Sequence, residues 1–351
     1  MVTMQQVADR ANVSISTVSF VVNNTKPVTP QTRERILEAI DALGYRRNAT
    51  ARALATRRSH VIALLYPLME RNLNSFVEAA AAAAEAQGYH LMLWPVRPDN
   101  QAAEVTSLIK SGIADGVLLL EVQLDDERVA KLREANAPFA LIGRTRDTDG
   151  IDFVDIDFEQ ATTDAVDYLA GLGHRQLALV IEEFDGTALA GYSPPTRAEQ
   201  TFRNATADLG LDGRVFRVPR DPLAELALAH QLVEQAPQTT AIIVMHDEAS
   251  FGLVNGLRRR AVAIPGDLSI VSIAPATALG LLIDPGLTTY DAPGGELGGR
   301  AAEALIAHLK GRDGPPTQVL VACQRHDGAS VGLAPTGRPP LDTLQSVSTK
   351  G

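Results

Sequence analysis

Residues 7–45 read VADRANVSISTVSFVVNNTKPVTPQTRERILEAIDALGY, and their turn and cap residues predict the fold of the first part of the chain. Just upstream, Thr3 is placed to cap a first helix, because Gln6 follows at the spacing of a capping box. Asn12 tolerates the left-handed conformation of a tight turn and therefore ends this helix. Ser14 is placed to cap a second helix. The pattern predicts two short helices separated by a tight turn.

A third helix follows the first two. Thr29 provides a capping side chain, Pro30 occupies the first helical position, and Gly44 ends the helix. The apolar residues of all three helices recur at helical spacing and predict a small shared core. They are Val7, Ala8, Ala11, Val18, Val21, Val22, Ile36, Ile40 and Leu43. Residues 1–46 are therefore predicted to form an all-α, three-helix helix-turn-helix domain, called the head below.

The second helix of such a domain enters the major groove of DNA with its first residues at the base edges. Ser16 can donate or accept a hydrogen bond there, whereas Ile15 and Phe20 offer only apolar contact, for example to a thymine methyl. The predicted base contacts are Ile15, Ser16, Thr17 and Phe20. The predicted phosphate contacts, which position the domain, are Thr3, Ser14, Ser19, Asn23, Lys26 and Thr29. The alternative is a three-helix domain of this pattern with no role in DNA binding.

The segment 47–59 is predicted to be a hinge. It contains the run Asn48-Ala-Thr-Ala-Arg-Ala-Leu54, a capped stretch of good helix formers too short for a stable isolated helix. When DNA holds this helix, its exposed Leu54 can act as a wedge between base steps in the minor groove. The predicted minor-groove contacts are Asn48, Ala51, Arg52 and Leu54. The alternative is a flexible linker in which Leu54 packs on the body; the basic residues Arg52, Arg57 and Arg58 favour DNA.

Charge is divided unevenly along the chain. The whole chain carries a net charge of −10, but residues 1–60 contain nine Lys and Arg against four Asp and Glu, so the remainder carries −15. A basic head on an acidic body indicates that only the head meets phosphate. No apolar run approaches the ~18 residues that span a bilayer, and the single cysteine, Cys323, indicates a reducing compartment. With no apolar signal-peptide core after Thr3, a cytoplasmic protein is expected.

From His60 onward, apolar strands alternate with helices. The predicted strands are 61–66, 90–96, 116–120, 139–143, 176–181, 215–219, 241–245 and 268–273. This alternation predicts parallel sheets covered by helices on both faces, arranged as two doubly wound α/β lobes of four or five strands each. A ligand is expected at the carboxyl ends of the strands, between the lobes.

The body lacks the motifs of an enzyme. No glycine-rich phosphate loop follows the first strand, where the chain reads YPLMERN, and neither a nucleophile elbow nor a His/Cys metal cluster is present. We therefore predict no catalytic residue, no cofactor and no metal.

The head and hinge resemble the lactose/galactose repressor family. The shared patterns are V-A-x-x-A-x-V-S-x-x-T-V-S-x-V-x-N from Val7, V-x-x-x-T-R-x-R-I from Val28, and L-G-Y-x-x-N-x-x-A-R-x-L from Leu43. The resemblance implies that Leu54 opens the central step of a palindromic operator. Phe20 stands where the family usually has Arg, and Ile15 replaces a more polar residue, so the outer operator bases are expected to differ from the common ones.

The resemblance covers residues 2–333, with family-like runs at 141–144, 171–175, 246–271 and 287–306. It implies a periplasmic-binding-protein-like body over 60–333, in which the chain crosses between lobes three times. The implied first lobe is 60–158 with 290–316, and the implied second lobe is 159–289 with 317–333.

The resemblance also implies part of an effector pocket between the lobes. Arg197 matches an arginine that often holds a pair of sugar hydroxyls, which suits its planar fork. The full set of expected pocket residues is Asn74, Phe76, Arg144, Arg197, His246 and Asp247. Ala274 and Pro275 replace the family's usual acidic pair. The alternative for Arg197 and Asp247 is a surface ion pair, and Asn74 and Phe76 have a purely structural alternative.

Residues 334–351 are rich in Pro, Gly, Ser and Thr and predict a disordered tail. This segment lacks the leucine heptads of a tetramer bundle, which favours a homodimer. We expect a repressor that binds double-stranded operator DNA under the control of a small molecule, a sugar by resemblance. The alternatives are a corepressor-dependent regulator with a non-sugar ligand and a two-lobed solute-binding protein, which the head disfavours.

Overall fold

A computed structural model of the protein describes residues 2–23, 26–45, 58–67, 74–97, 100–187, 189–219, 222–245, 247–273 and 283–343. The chain forms two compact units, Met1–Ser59 and His60–Gly351. None of the helices in the described ranges is long and apolar enough to cross a membrane.

The first unit contains the three predicted helices. They are α1 (Met4–Ala11), α2 (Ile15–Asn23) and α3 (Pro30–Leu43). Thr3 and Gln6 form both hydrogen bonds of the capping box, and Asn12 ends α1 in the left-handed region with a φ of 51°. Gly44 ends α3 in the same region with a φ of 63°. Because an N-cap contributes about 1 kcal/mol, these local residues set where each helix starts and stops.

The three helices enclose one small apolar core. Val7, Val18 and Ile36, one from each helix, are fully buried in it. In the turn between α1 and α2, Val13 packs against this core, and its backbone N–H donates to the carbonyl of Ala8 at 3.0 Å. The turn is therefore held by both packing and hydrogen bonding, which fixes the start of α2.

The first lobe of the second unit is a parallel sheet of six strands. They are β1 (Val61–Pro67), β2 (His90–Val96), β3 (Gly116–Leu119), β4 (Phe139–Ile142), β5 (Asp152–Ile156) and β11 (Gln318–Val321). Their order across the sheet is β11-β5-β4-β3-β1-β2. The helices that cover its two faces are α4 (Asn74–Ala86), α5 (Gln101–Ser111), α6 (Glu127–Glu134) and α11 (Gly294–Leu309). Strands β1, β3 and β4 read as continuous apolar runs because both of their faces are buried.

The second lobe repeats this arrangement. Its strands are β6 (Gln176–Glu183), β7 (Asp212–Pro219), β8 (Ala241–Met245), β9 (Ser269–Ile273), β10 (Thr288–Asp291) and β12 (Gln324–His326). Their order is β12-β10-β9-β8-β6-β7, with β12 antiparallel to β10 and the other pairs parallel. Its helices are α7 (Phe158–Gly171), α8 (Ser193–Asp208), α9 (Pro222–Gln235) and α10 (Asp247–Arg259).

Helices α4 and α11 pack closely on one face of the first lobe. A Cβ atom built on Gly298 would lie 2.1 Å from the backbone carbonyl oxygen of Phe76. Only glycine permits this approach, because the clash would be with backbone rather than with a movable side chain. The contact fixes the first turns of α4, and with them Phe76, beside the carboxyl ends of the strands.

Two predictions about the lobes are wrong. Each sheet has six strands rather than four or five. The prediction missed short strands of mixed polarity, such as β5 and β12, because they contain no apolar run. The boundaries at 289/290 and 316/317 are also displaced. Strand β10 pairs with β9 of the second lobe, whereas β11 pairs with β5 of the first. Backbone pairing, and not apolar pattern, decides where the chain crosses between the lobes.

The prediction that 334–351 is a disordered tail is wrong for 334–343. Leu341 is 1% exposed within the core of the second lobe, and its backbone N–H donates to the carbonyl of Pro237 at 2.9 Å. The side chain of Arg338 also holds the segment, because its Nη2 atom donates to the carbonyl of Thr239 at 3.0 Å. The polar composition of the segment concealed these anchoring contacts.

Candidate DNA interface and ligand cleft

The first turn of α2 presents the side chains that were predicted to contact bases. Ile15 is 47% exposed although it is a large apolar residue, and Ser16 is also exposed. The Ser14 hydroxyl accepts from the backbone N–H of Thr17 at 3.1 Å and lies 2.7 Å from the hydroxyls of both Ser16 and Thr17. A capped helix start with an uncovered apolar side chain is suited to entering a groove.

Phe20, one turn further along α2, is half-buried. The Nζ atom of Lys26 lies over its ring, 5.0 Å from the centroid. A cation held at this distance from an aromatic face is attracted to it. The pair joins a predicted base contact to a predicted phosphate contact on one surface of the head.

The remaining predicted phosphate contacts have varied local roles. Thr3 and Thr29 are exposed, and each hydroxyl accepts from a backbone N–H as a helix cap, with N–O distances of 3.3 and 3.4 Å respectively. Ser19 is half-buried, and Asn23 is the last residue of α2. The four predicted hinge contacts, Asn48, Ala51, Arg52 and Leu54, lie outside the described residues. The contacts of the head and of the hinge with DNA all stay predictions.

A cavity of about 390 Å³, open to solvent, lies between the two lobes. In the first lobe it is lined by the carboxyl ends of three strands, β3, β4 and β5, and by Phe76 and Leu297 from α4 and α11. The second lobe contributes Phe158 and the segment 192–194 at the start of α8. The position agrees with the general rule for doubly wound sheets, whose ligands bind beyond the carboxyl ends of the strands.

Arg144 joins the two lobes from the wall of this cavity. Its Nε atom donates to Oδ2 of Asp155 in the first lobe at 3.0 Å, and its Nη2 atom donates to Oε1 of Glu159 in the second lobe at 2.5 Å. The Arg144 side chain is 15% exposed. Both carboxylates are therefore held by one guanidinium group in a partly dry environment, where charge-assisted hydrogen bonds are strong.

Arg197 contacts the carboxylate of Glu159 as well. Its Nη1 atom lies 3.4 Å from Oε1 of Glu159, and its Nε atom donates to the hydroxyl of Ser193 at 2.7 Å. Its Nη2 atom donates across the cleft to the backbone carbonyl of Thr145 at 3.1 Å. The predicted pocket arginine is thus part of an interlobe network of Arg144, Asp155, Glu159 and Arg197, called the ionic network below.

Backbone hydrogen bonds join the lobes beside the ionic network. The N–H of Ser193 donates to the carbonyl of Val122 at 3.2 Å, and the N–H of Leu124 donates to the carbonyl of Gly191 at 2.8 Å. Between them, Gln123 and Tyr192 form an isolated antiparallel bridge. The loop after β3 and the approach to α8 therefore form a short interlobe strap, residues 122–124 with 191–193.

The electrostatics of the ionic network are set by burial. Desolvation raises the pKa of Asp155 to about 6, although the guanidinium groups of Arg144 and Arg197 act in the opposite direction. Desolvation also lowers the pKa of Arg197, with the like charge of Arg144 as the next cause. A ligand that displaces water from the cavity is consequently expected to change the pKa values of these two side chains further.

The structure brings together only part of the predicted pocket. Phe76 and Arg144 line the cavity, and Arg197 reaches it through Ser193. Asn74 is the exposed first residue of α4. Asp247 begins α10 beyond the carboxyl end of β8, and His246 lies outside the described residues. These effector contacts remain predictions.

Sequence reasoning missed Glu121, which lines the cavity two residues after the end of β3. The signal was available, because a charged residue directly after the run GVLLL lies where ligands bind in such sheets. It also missed the second-lobe carboxylate Glu159, for which the sequence offers no local sign. In the described part of the chain, no group of three or more His, Cys, Asp or Glu residues is arranged to hold a metal ion.

Two family models match the chain. The model described as bacterial regulatory proteins, lacI family, matches residues 3–48, and the periplasmic binding protein-like domain matches residues 166–331. Catabolite control protein A of Priestia megaterium is 30% identical over 318 residues, which cover 88% of this chain and 92% of that protein. The HTH-type transcriptional regulator CelR of Thermobifida fusca is 27% identical over 332 residues, covering 91% and 95%.

Solved structures share the fold. The lac repressor dimer bound to operator and the anti-inducer ONPF superposes with a TM-score of 0.82 at 22% identity, covering 94% of this chain and 99% of that one. The transcriptional regulator CelR–cellobiose complex superposes with a TM-score of 0.68 at 24% identity, covering 94% and 100%. With the head, the two lobes and relatives that are regulators rather than enzymes, the chain belongs to the lacI family of bacterial DNA-binding transcriptional regulators.

Proposed function

We propose that this regulator is a repressor that binds a palindromic operator as a homodimer, and that a small molecule bound between its lobes controls this binding. The observation that carries the proposal is the interlobe cavity, whose wall includes Arg144 of the ionic network. A ligand that enters this cavity alters contacts that hold the lobes together. The protein acts in the cytoplasm, where its operator lies.

The head supports the DNA half of the proposal. The excess of basic residues in 1–60 suits the phosphate backbone, and the exposed start of α2 suits base edges in the major groove. In a two-fold symmetric dimer, each head reads one half-site, so the operator mirrors the symmetry of the protein. The paired hinge segments then place Leu54 of each chain in the minor groove at the operator centre.

The cleft supports the effector half. Closing or opening the lobes changes the distance between Arg197 and Thr145, which belong to different lobes. A ligand with different affinities for the two arrangements shifts their populations, and its effect on DNA affinity equals the effect of DNA on its own affinity. A sugar is the effector class that the family suggests, and the direction of the response distinguishes an inducer from a corepressor.

The DNA half is tested by selecting duplexes from a random pool with the full-length protein. Fluorescence anisotropy then compares the selected duplex, one isolated half-site and a scrambled duplex at several salt concentrations. We expect a palindrome bound about 10³-fold or more tighter than the scrambled duplex, with affinity falling steeply as salt rises. Equal affinity for selected and scrambled duplexes would refute sequence-specific recognition.

The effector half is tested on the same selected duplex. Mono- and disaccharides are added one at a time, and each response is measured in the parent and in Glu134→Gln, whose side chain lies in an exposed pair with Lys131 outside the cleft. A sugar effector should change DNA affinity about 5- to 150-fold, the range of typical coupling energies, equally in both proteins. If no sugar changes the affinity, control by this class of ligand is excluded.

A further inference from the structure

Glu121 is a buried acidic residue whose side chain takes no part in the ionic network. It is 5% exposed, lines the cavity and has a φ of 51°, in the left-handed region that costs a non-glycine residue about 1–2 kcal/mol. Its Oε2 atom is buried and has no hydrogen-bond partner among the described residues. Burying such an atom is unfavourable unless something hydrogen-bonds to it.

One buried cation, Arg128, holds the backbone of Glu121 and pairs with a different carboxylate. Arg128 is 2% exposed, and its Nη2 atom donates to the backbone carbonyl of Glu121 at 2.7 Å. Its Nη1 atom donates to the carbonyl of Leu120 at 3.2 Å, and its charge is paired with Asp126 at 2.7 Å. Arg128 therefore fixes the left-handed turn after β3, and its charge is matched elsewhere.

The guanidinium groups of the ionic network are also matched. Arg144 pairs with Asp155 and Glu159, and Arg197 pairs with Glu159. The two arginines of the ionic network are thus balanced by its two carboxylates, Asp155 and Glu159. In the described part of the cavity wall, the carboxylate of Glu121 has no paired cation. A ligand that brings a positive charge to this position would complete the balance, because a buried charge is stabilised chiefly by a partner of opposite sign.

We propose that the effector carries a protonated amino group that binds the carboxylate of Glu121. This inference rests on the proposed function, because it names the chemistry of the ligand of that same cleft. Amino sugars and short aliphatic amines both present the required group, and a neutral sugar presents hydroxyl groups without the charge.

Matched pairs of probes test the charge directly. Isothermal titration of the full-length protein compares 2-amino-2-deoxyglucose with glucose, and putrescine with 1,4-butanediol. We expect binding of an amine and not of its neutral counterpart. Glu121→Gln should weaken that binding by about tenfold or more, the loss expected for a hydrogen bond between charged groups. Glu134→Gln, the matched replacement at an exposed surface pair, should bind as the parent does.

A second variant guards against local misfolding. Glu121→Asn also removes the charge, and Asn tolerates the left-handed backbone at this position better than most residues. This variant should bind the amine as weakly as Glu121→Gln does, and its midpoint temperature of unfolding should equal that of the parent. The pair of amines distinguishes the sources: binding of 2-amino-2-deoxyglucose alone indicates an amino sugar, and binding of putrescine alone indicates an aliphatic amine.

Three results would overturn the inference. They are equal binding of the neutral counterpart, an amine affinity that both Glu121 variants retain, and the failure of every amine in the set to bind. Operator affinity is measured separately, so these failures leave repressor function intact. Conversely, an amine that binds through Glu121 without changing operator affinity would support the inference that the cleft binds an amine. It would refute the proposal that this ligand controls DNA binding.

Discussion

Asp155→Asn tests whether burial governs the charge of the cleft. The side chain of Asp155 is 5% exposed, and Arg144 donates to its Oδ2 atom at 3.0 Å. Burial raises the pKa of this carboxyl group from its ordinary value of 3.8 to about 6 in spite of two nearby guanidinium groups. Asparagine keeps the shape and one acceptor oxygen of the side chain but removes its titration.

The size of the effect follows from the pKa shift. A change from 3.8 to about 6 corresponds to about 3 kcal/mol at roughly 1.4 kcal/mol per pKa unit. The folded protein binds this proton more tightly than the unfolded chain does. The resulting stability is therefore fully present below pH 3.8 and is lost as the pH rises through about 6. Across that interval the parent should lose about 3 kcal/mol that the asparagine variant does not lose.

Urea unfolding, measured in steps from about pH 4 to about pH 7, gives this difference. Trp94 is the only tryptophan of the chain and lies on β2 of the first lobe, which also holds Asp155, so its fluorescence reports on that lobe. Asp125→Asn is the matched control, because Asp125 is 78% exposed and pairs with Arg146 at the surface. If the difference in the free energy of unfolding between the parent and Asp155→Asn does not change with pH, burial does not raise the pKa of Asp155 as inferred.

Three further predictions concern DNA and ligand. Leu54→Ala should weaken operator binding at least tenfold more than binding to scrambled DNA, measured by anisotropy, as expected if a wedge residue is lost; equal losses would exclude the wedge. Arg197→Ala removes contacts to Glu159 and Thr145 and should reduce the ligand-dependent change in operator affinity by about tenfold; an unchanged response would exclude Arg197. Phe20→Arg replaces the ring under Lys26 with a like charge and should alter the half-site selected from random DNA, whereas an unaltered half-site would place Phe20 away from the bases.

The head could be predicted almost entirely because its determinants are local. The cap hydrogen bonds of Thr3 and Thr29 lie within three residues of the capping side chain. The turn at Asn12 and the stop at Gly44 depend only on the tolerance of each residue for positive φ. Each signal is complete within one short window of sequence, so no knowledge of the tertiary structure was needed.

The body could be predicted only where burial leaves a long apolar run. Strands such as β8 are buried along their whole length and appear as continuous apolar sequence. Strand β12 is exposed along its whole length, and it exists because its backbone pairs with β10. Such pairing depends on where the chain returns after crossing between lobes, which no local window contains. The displaced lobe boundaries have the same cause.

The sequence could predict the cleft residues that lie immediately after a strand, and it could not predict the others. Arg144 lies two residues beyond the end of β4, and its position at the edge of the sheet follows from that alone. The role of Glu159 depends on the approach of Arg144 and Arg197 from two lobes, across separations of 15 and 38 residues. Proximity of this kind arises from the arrangement of the lobes and is invisible to spacing rules.

The two arginines of the ionic network should respond differently when the lobes move. The acceptors of Arg144 are Asp155 and Glu159, four residues apart on either side of the first crossing between lobes, so a rotation about that crossing changes their separation little. Arg197 instead reaches Thr145, and the strap joins Ser193 to Val122; no short stretch of chain connects either pair. For a rotation about that crossing, we therefore expect the contacts of Arg197 and of the strap to break before those of Arg144. If a ligand controls operator binding as proposed, this order predicts that the contacts of Arg197 respond first when that ligand enters the cleft.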